Sequence, residues 1–132
     1  MPEQKTIKRA RRDKRQGKAP STQAGEFVRE EIRHIREGKH GARSTKQAIA
    51  IGLSEARRAG VKLGRPPASA KATTKRSARS ASRAAASRRR PSARRARASL
   101  RALKREPRRA ASHKALARQA RSAAKRRRRA SA

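Results

Sequence analysis

The chain has 132 residues, with 42 Lys and Arg against 8 Asp and Glu for a net charge of +34, and no Cys. Self-repulsion of that size opposes compaction and implies a polyanionic partner, while the absence of thiols excludes a disulfide framework and thiolate chemistry. No window approaches the ~18 apolar residues of a membrane span, and no apolar stretch marks a secretory signal. Nucleic acid is the first partner expected, because each phosphate neutralised releases condensed counterions.

Residues 1–20 form a basic arm, with eight Lys or Arg against Glu3 and Asp13. Ile7 is its only large aliphatic after Met1, so a helix there has little to hold it unless its charge is neutralised. Lys8, Arg9, Arg11, Arg12, Lys14 and Arg15 are its expected phosphate contacts.

Residues 21–63 read as a helical hairpin. Pro20 acts as a breaker, Ser21 and Thr22 offer N-caps, and Ala24, Phe27, Val28, Ile32 and Ile35 recur at steps of three and four until Gly38 and Gly41 end the pattern. Glu26, Arg29, Glu30, Arg33, His34 and Glu37 are assigned to the outer face as i,i+4 neighbours. A second helix starts at residue 44 or 45, because Ser44 with Gln47 has the capping-box pattern. Ile49, Leu53 and Ala56 line its apolar stripe, Ala48, Ile51 and Gly52 widen it, and Gly60 supplies the stop. Lys46, Arg57 and Arg58 share the outer side, as a DNA-recognition helix would require. Units near ~40 residues usually need outside help to fold, so the hairpin is expected to form a homodimer or to tighten on its ligand.

From residue 64 the chain is a basic tail. Between Leu63 and Leu100 there is no large aliphatic or aromatic residue, and Glu106 is the only acid after Glu55. A tail with so little to bury is expected to be largely disordered when free, yet helix-prone, since Ala and Arg favour helix once phosphate removes their repulsion. Ala93, Ala96, Leu100 and Leu103 before Pro107, and Leu116, Ala120 and Ala123 after a Ser112 cap, are its nucleation points. The phosphate contacts expected from the end of the hairpin onward are Lys62, Arg65, Lys75 and Arg76, then Arg88, Arg89, Arg90, Arg94, Arg95 and Arg97. Arg108, Arg109, Lys125, Arg126, Arg127, Arg128 and Arg129 complete the set. Ser77, Ser80, Ser82 and Ser87 are spacers or phosphate acceptors.

The run from Ser44 to Arg57, preceded by Arg36-Glu37-Gly38-Lys39, resembles the core of a family of small, very basic, uncharacterised bacterial proteins over about residues 24–62. That resemblance implies a bacterial origin and a compact helical module. The Ala/Ser/Arg tail is similar in composition to the tails of linker-histone-like proteins. Ala59 to Pro67 resembles the connector of serine recombinases and half of an AT-hook, which implies an Arg65 laid into the minor groove of A·T-rich DNA. A helix stop made of Gly60, Pro66 and Pro67 is the plainer reading of the same residues.

Phe27 is the only aromatic residue, so base-stacking platforms for single strands are missing. His34, His40 and His113 have no Cys partners, and Glu30 with His34, or His34 with Glu37, reads as a solvated helix-face pair rather than a metal site. No phosphate-binding Gly loop and no buried carboxylate pair is visible. The expectation is a mainly α protein with no catalytic, metal or cofactor site: a non-sequence-specific DNA-binding, histone-like protein of the bacterial nucleoid and cytoplasm. The alternatives are an RNA-coating or ribosome-associated protein and a protein-docking helical module tethered to nucleic acid. No membrane or small-molecule partner is expected.

Overall fold

Glycine sets where the hairpin helices stop. In the computed structural model, which describes residues 2–87 and 92–131, Gly38 and Gly60 have φ of 78° and 96°. Each ends a helix with the paired bonds of a left-handed cap: Gly38 N–H to Ile35 O and Lys39 N–H to His34 O, then Gly60 N–H to Arg57 O and Val61 N–H to Ala56 O. The helices so bounded are α1 (Gln4–Arg15), α2 (Pro20–Arg36) and α3 (Thr45–Arg58). Beyond them lie α4 (Ala72–Ser87), α5 (Ala93–Lys104), a 3-10 turn (Arg109–Ala111) and α6 (His113–Ser131). The protein is mainly helical, with no strand among the described residues.

At the start of α3 the expected cap is present, with a shifted return contact. Ser44 Oγ accepts the Gln47 N–H at 3.1 Å, and Gln47 Oε1 accepts from the Arg43 N–H rather than from that of Ser44. At the start of α2 the expectation fails. Pro20 is itself helical, behind an Ala19 cap that makes no side-chain bond, and Ser21 and Thr22 lie inside the helix. Proline suits that first position because its missing N–H is one the helix would leave unpaired anyway.

Two small cores hold these helices. Ala10, Ala24, Phe27 and Ala56 join α1, α2 and α3, with Ile7, Leu53, Val61 and Leu63 against them. The arm is therefore a packed helix and not an element waiting for neutralisation. In the second core Ile35, Ala42 and Ala48 meet Ala110 and Ala111 of the 3-10 turn, with Ile32 beside them. Gly52 lets α3 approach α2 closely: a Cβ there would lie 2.6 Å from Val28 Cα.

The boundary placed near residue 64 is not where packing ends. Gly41 N–H donates to Leu103 O at 2.8 Å, Ala42 N–H to Pro107 O at 3.0 Å, and Thr45 Oγ1 to Ala110 O at 2.6 Å. The Arg36 Nε–H donates to Ala111 O, and the Arg108 guanidinium donates to Ile35 O and Arg36 O at the end of α2. Residues 103–111 thus close the hairpin's open end. The described tail residues are also mostly helix where coil was expected. Ser92 and Ser112 cap α5 and α6, accepting from the Arg95 and Ala115 N–H groups, and high Ala and Arg propensity does the rest. Helix α4 had no apolar signal beyond alanine, and it packs on α3 with Ala81 fully buried.

Candidate nucleic-acid interface

An electrostatic interface is built as much by where the acids go as by where the cations sit. Seven of the eight acids precede residue 56. Asp13 bonds Lys18 at 3.3 Å, Glu26 pairs with Arg29 at 3.5 Å, and Glu37 pairs with Lys39 at 3.5 Å. Glu3 accepts from Arg33 at 2.8 Å and lies 3.0 Å from His34 Nε2. The His34 hydrogen bond foremost, then Arg33 and Lys39, lower its carboxyl pKa to about 2. Glu30 and Glu31 are buried on the inner side of α2, which corrects the solvated-pair reading of Glu30 with His34. Glu55 of α3 faces Glu31 of α2, and burial first, then the Glu31 charge, pushes its pKa up to about 9.

With most of the acids buried or paired near α2, four helices present uncompensated cations at heptad-like steps. On α1 these are Lys5, Lys8, Arg12 and Arg15; on α4, Arg76, Arg79 and Arg83; on α5, Arg94, Arg97, Arg101 and Lys104. On α6 they are Lys114, Arg118, Arg121, Lys125 and Arg128. All are exposed, and none makes an ion pair to a carboxylate among the described residues. Steps of three and four put each set along one side of its helix. The 19 residues of α6 carry the longest stripe, about 21 Å from Lys114 to Arg128 at 1.5 Å per residue.

The remaining expected contacts divide by what they do in the fold. Arg9, Arg11, Lys14, Arg95, Arg126, Arg127 and Arg129 are exposed cations beside the stripes. Lys62 and Arg65 are exposed on the irregular connector, and the Arg57 guanidinium donates to Leu63 O at 3.3 Å and Gly64 O at 2.8 Å just before Arg65. Lys75 has a structural occupation, its ammonium donating to Ala68 O at 2.6 Å. Arg88, Arg89 and Arg90 lie outside the described residues.

Arg108 and Arg109 are brought together with Arg36 and His113 around an open depression at the N-terminus of α6. Arg36 and Arg108 are already oriented there by the backbone carbonyls they hold, and the helix N-terminus adds a partial positive charge. Phosphate is the ligand such a corner suits. Arg36 and His113 escaped the sequence reading because their neighbours are more than seventy residues away. The Arg79, Arg83, Arg101 and Arg118 stripe members were legible in the 3–4 spacing, once helix rather than coil is granted.

Residues 2–67 match a family of unknown function, DUF6496, which is half of the chain. The chain belongs to that family. The DUF6496 part contains α1, α2, α3 and the connector through Arg65, whereas α4, α5 and α6 follow it. No curated protein and no solved structure matches the chain. No helix among the described residues is long and apolar enough to cross a membrane.

Proposed function

We propose that the protein binds duplex DNA through its phosphates without reading base sequence, as a histone-like architectural component of a bacterial nucleoid. One observation carries the reading: seven of the eight carboxylates are gathered in the first 55 residues, most of them buried or paired with a cation, while exposed cation stripes run along α1, α4, α5 and α6. Residues 61–132 hold 26 Lys and Arg against Glu106. Matching that charge takes on the order of 25 phosphates, about 40 Å of duplex at one charge per ~1.7 Å.

The protein-docking alternative has less to stand on, because Leu100 is the only exposed large hydrophobic among the described residues and offers no apolar patch. The core that suggested a homodimer is enlarged within the chain by α1 and by Ala110 and Ala111. Bridging then falls to separate cation-bearing helices of one chain as well as to any second copy.

The test is the salt dependence of binding to a mixed-sequence duplex, followed by fluorescence anisotropy. A log–log slope steeper than about −4 is expected, and a shallower one refutes a phosphate-driven mechanism. Structured RNA, added as competitor at near-physiological salt, should displace the duplex poorly; equal or better displacement would move the assignment to RNA coating.

A further inference from the structure

A strongly cationic chain that buries carboxylates beside histidines concentrates ligand chemistry in one place. We propose that the cluster between α2, the loop after it and α3 is a binding site for one divalent transition-metal ion of the zinc type, with Glu31, His34 and His40 as ligands. The Glu-x-x-His spacing puts Glu31 and His34 on one side of α2, and His40 returns to them from the loop. One ligating atom from each of the three lies within 4.8 Å of the other two. Glu31 is 4% and His40 8% exposed, and none of this was accessible to a reading that set His34 on the solvent side.

The orientation of the rings is more specific than their proximity. His40 Nδ1 lies 2.9 Å from Gly41 O, a carbonyl that only accepts, so that nitrogen carries the proton. The other nitrogen, Nε2, then turns to Glu31 Oε2 at 3.1 Å. His34 repeats the arrangement in mirror order. Its Nε2 donates to the Glu3 carboxylate at 3.0 Å, leaving Nδ1 toward Glu31 Oε1 at 3.9 Å. In the neutral rings both lone pairs therefore converge on one carboxylate, a repulsive set unless a cation lies among them. Donation of the far N–H to a carboxylate or backbone carbonyl is how proteins orient metal-binding imidazoles.

A second feature points the same way. Glu30 is 1% exposed; its Oε1 accepts the Glu3 N–H, and its Oε2 is buried without a partner. Glu55 Oε2 is likewise buried and unpartnered. Glu30, Glu31 and Glu55 form another set within 4.8 Å, sharing Glu31 with the first. Tetrahedral coordination at about 2.1 Å would place ligand atoms about 3.4 Å apart; Glu31 turns one oxygen to each ring, Oε2 to His40 Nε2 at 3.1 Å and Oε1 to His34 Nδ1 at 3.9 Å. Two imidazoles with carboxylate favour zinc-like ions over magnesium or calcium, which prefer oxygen alone. All six residues fall within the DUF6496 part, and binding would join the segment before α1, the α2 helix, the loop and α3.

The experiment uses the full chain, freed of nucleic acid at high salt and of metal by dialysis against a chelator. Zn²⁺ is titrated by calorimetry and Co²⁺ by visible absorption. Expected are one ion per chain, tetrahedral Co²⁺ bands and a raised melting temperature. His40→Gln and Glu31→Gln should each weaken Zn²⁺ binding at least about 100-fold. Glu3→Gln, which only orients His34, should cost about 10- to 100-fold with the stoichiometry kept. Glu37→Gln, outside the cluster, should change nothing. Circular dichroism of each metal-free variant checks folding, with His34→Gln replacing any that does not fold. No saturable binding, or binding unaffected by the His34 and His40 variants, overturns the proposal.

Discussion

Gly52 decides how closely α2 and α3 pack, and Gly52→Ala separates that role from helix propensity. A Cβ built there lies 2.6 Å from Val28 Cα and 2.9 Å from both Val28 N and Val28 Cγ2. Carbon atoms settle at about 3.5–4.0 Å, so the helices must part by about 1 Å. Two of the three atoms met are backbone, which no rotamer change can move aside. Overpacking costs about 1–3 kcal/mol, and a strain borne by backbone belongs in the upper half of that range. Alanine regains about 0.8–1.0 kcal/mol over glycine within a helix, leaving a net loss of about 1–2 kcal/mol. Gly25 in α2 is the internal control, since a Cβ there meets nothing within 4 Å. Gly25→Ala should stabilise by about 0.5–1 kcal/mol. Urea unfolding of both variants, followed by circular dichroism, reads the difference. If Gly52→Ala proves as stable as the parent chain, the close crossing is not a constraint and the reasoning fails.

Gly41→Ala should detach residues 103–111 from the hairpin, because the new Cβ would meet the Glu106 carbonyl, with Pro107 O 2.6 Å away. Faster hydrogen exchange of the amides at positions 41 and 42, with α1 unaffected, is the expected result. Thr45→Val removes the buried 2.6 Å bond to Ala110 O and leaves that carbonyl unpaired; a loss of about 1–3 kcal/mol is expected in the same urea assay. Arg65→Ala should lower affinity for an A·T-rich duplex more than Arg101→Ala does, if the connector enters the minor groove. An equal effect of the two would reduce the connector to a helix stop.

The elements of the hairpin were legible because their signals are local. Ser44 and Gln47 mark the start of α3, Gly38 and Gly60 mark stops, and Phe27 and Ile35 carry the period of α2. What escaped was set by distant partners. Glu30 and Glu31 look like surface charges in any helical wheel, and only the Glu3 N–H and His40, contributed by other segments, partner them in the interior. Ala110 and Ala111 are two alanines among many in the tail, and nothing nearby reveals that a 3-10 turn places them against Ile35 and Ala48. The cation stripes lie between these cases. Their spacing is in the sequence, but it reads as a stripe only where helix, rather than coil, has been assigned.

Burying acids in a chain of charge +34 has a consistent physical rationale. A small alanine-rich core supplies little apolar burial, so α1, α2 and α3 are held in part by ion pairs that also cancel charge where the chain is most compact, such as Glu3 with Arg33 and Lys39. The same withdrawal leaves the outer faces without counter-charge, which is what phosphate binding needs. The two halves are not independent. Arg36 and Arg108 hold the joint between α2 and the 3-10 turn through backbone carbonyls while standing at the depression where phosphate would be received. An anion seated there would offset the repulsion among Arg36, Arg108 and Arg109 that otherwise opposes this joint. Nucleic-acid binding and the docking of residues 103–111 onto the hairpin should therefore strengthen each other, the coupling being equal in both directions.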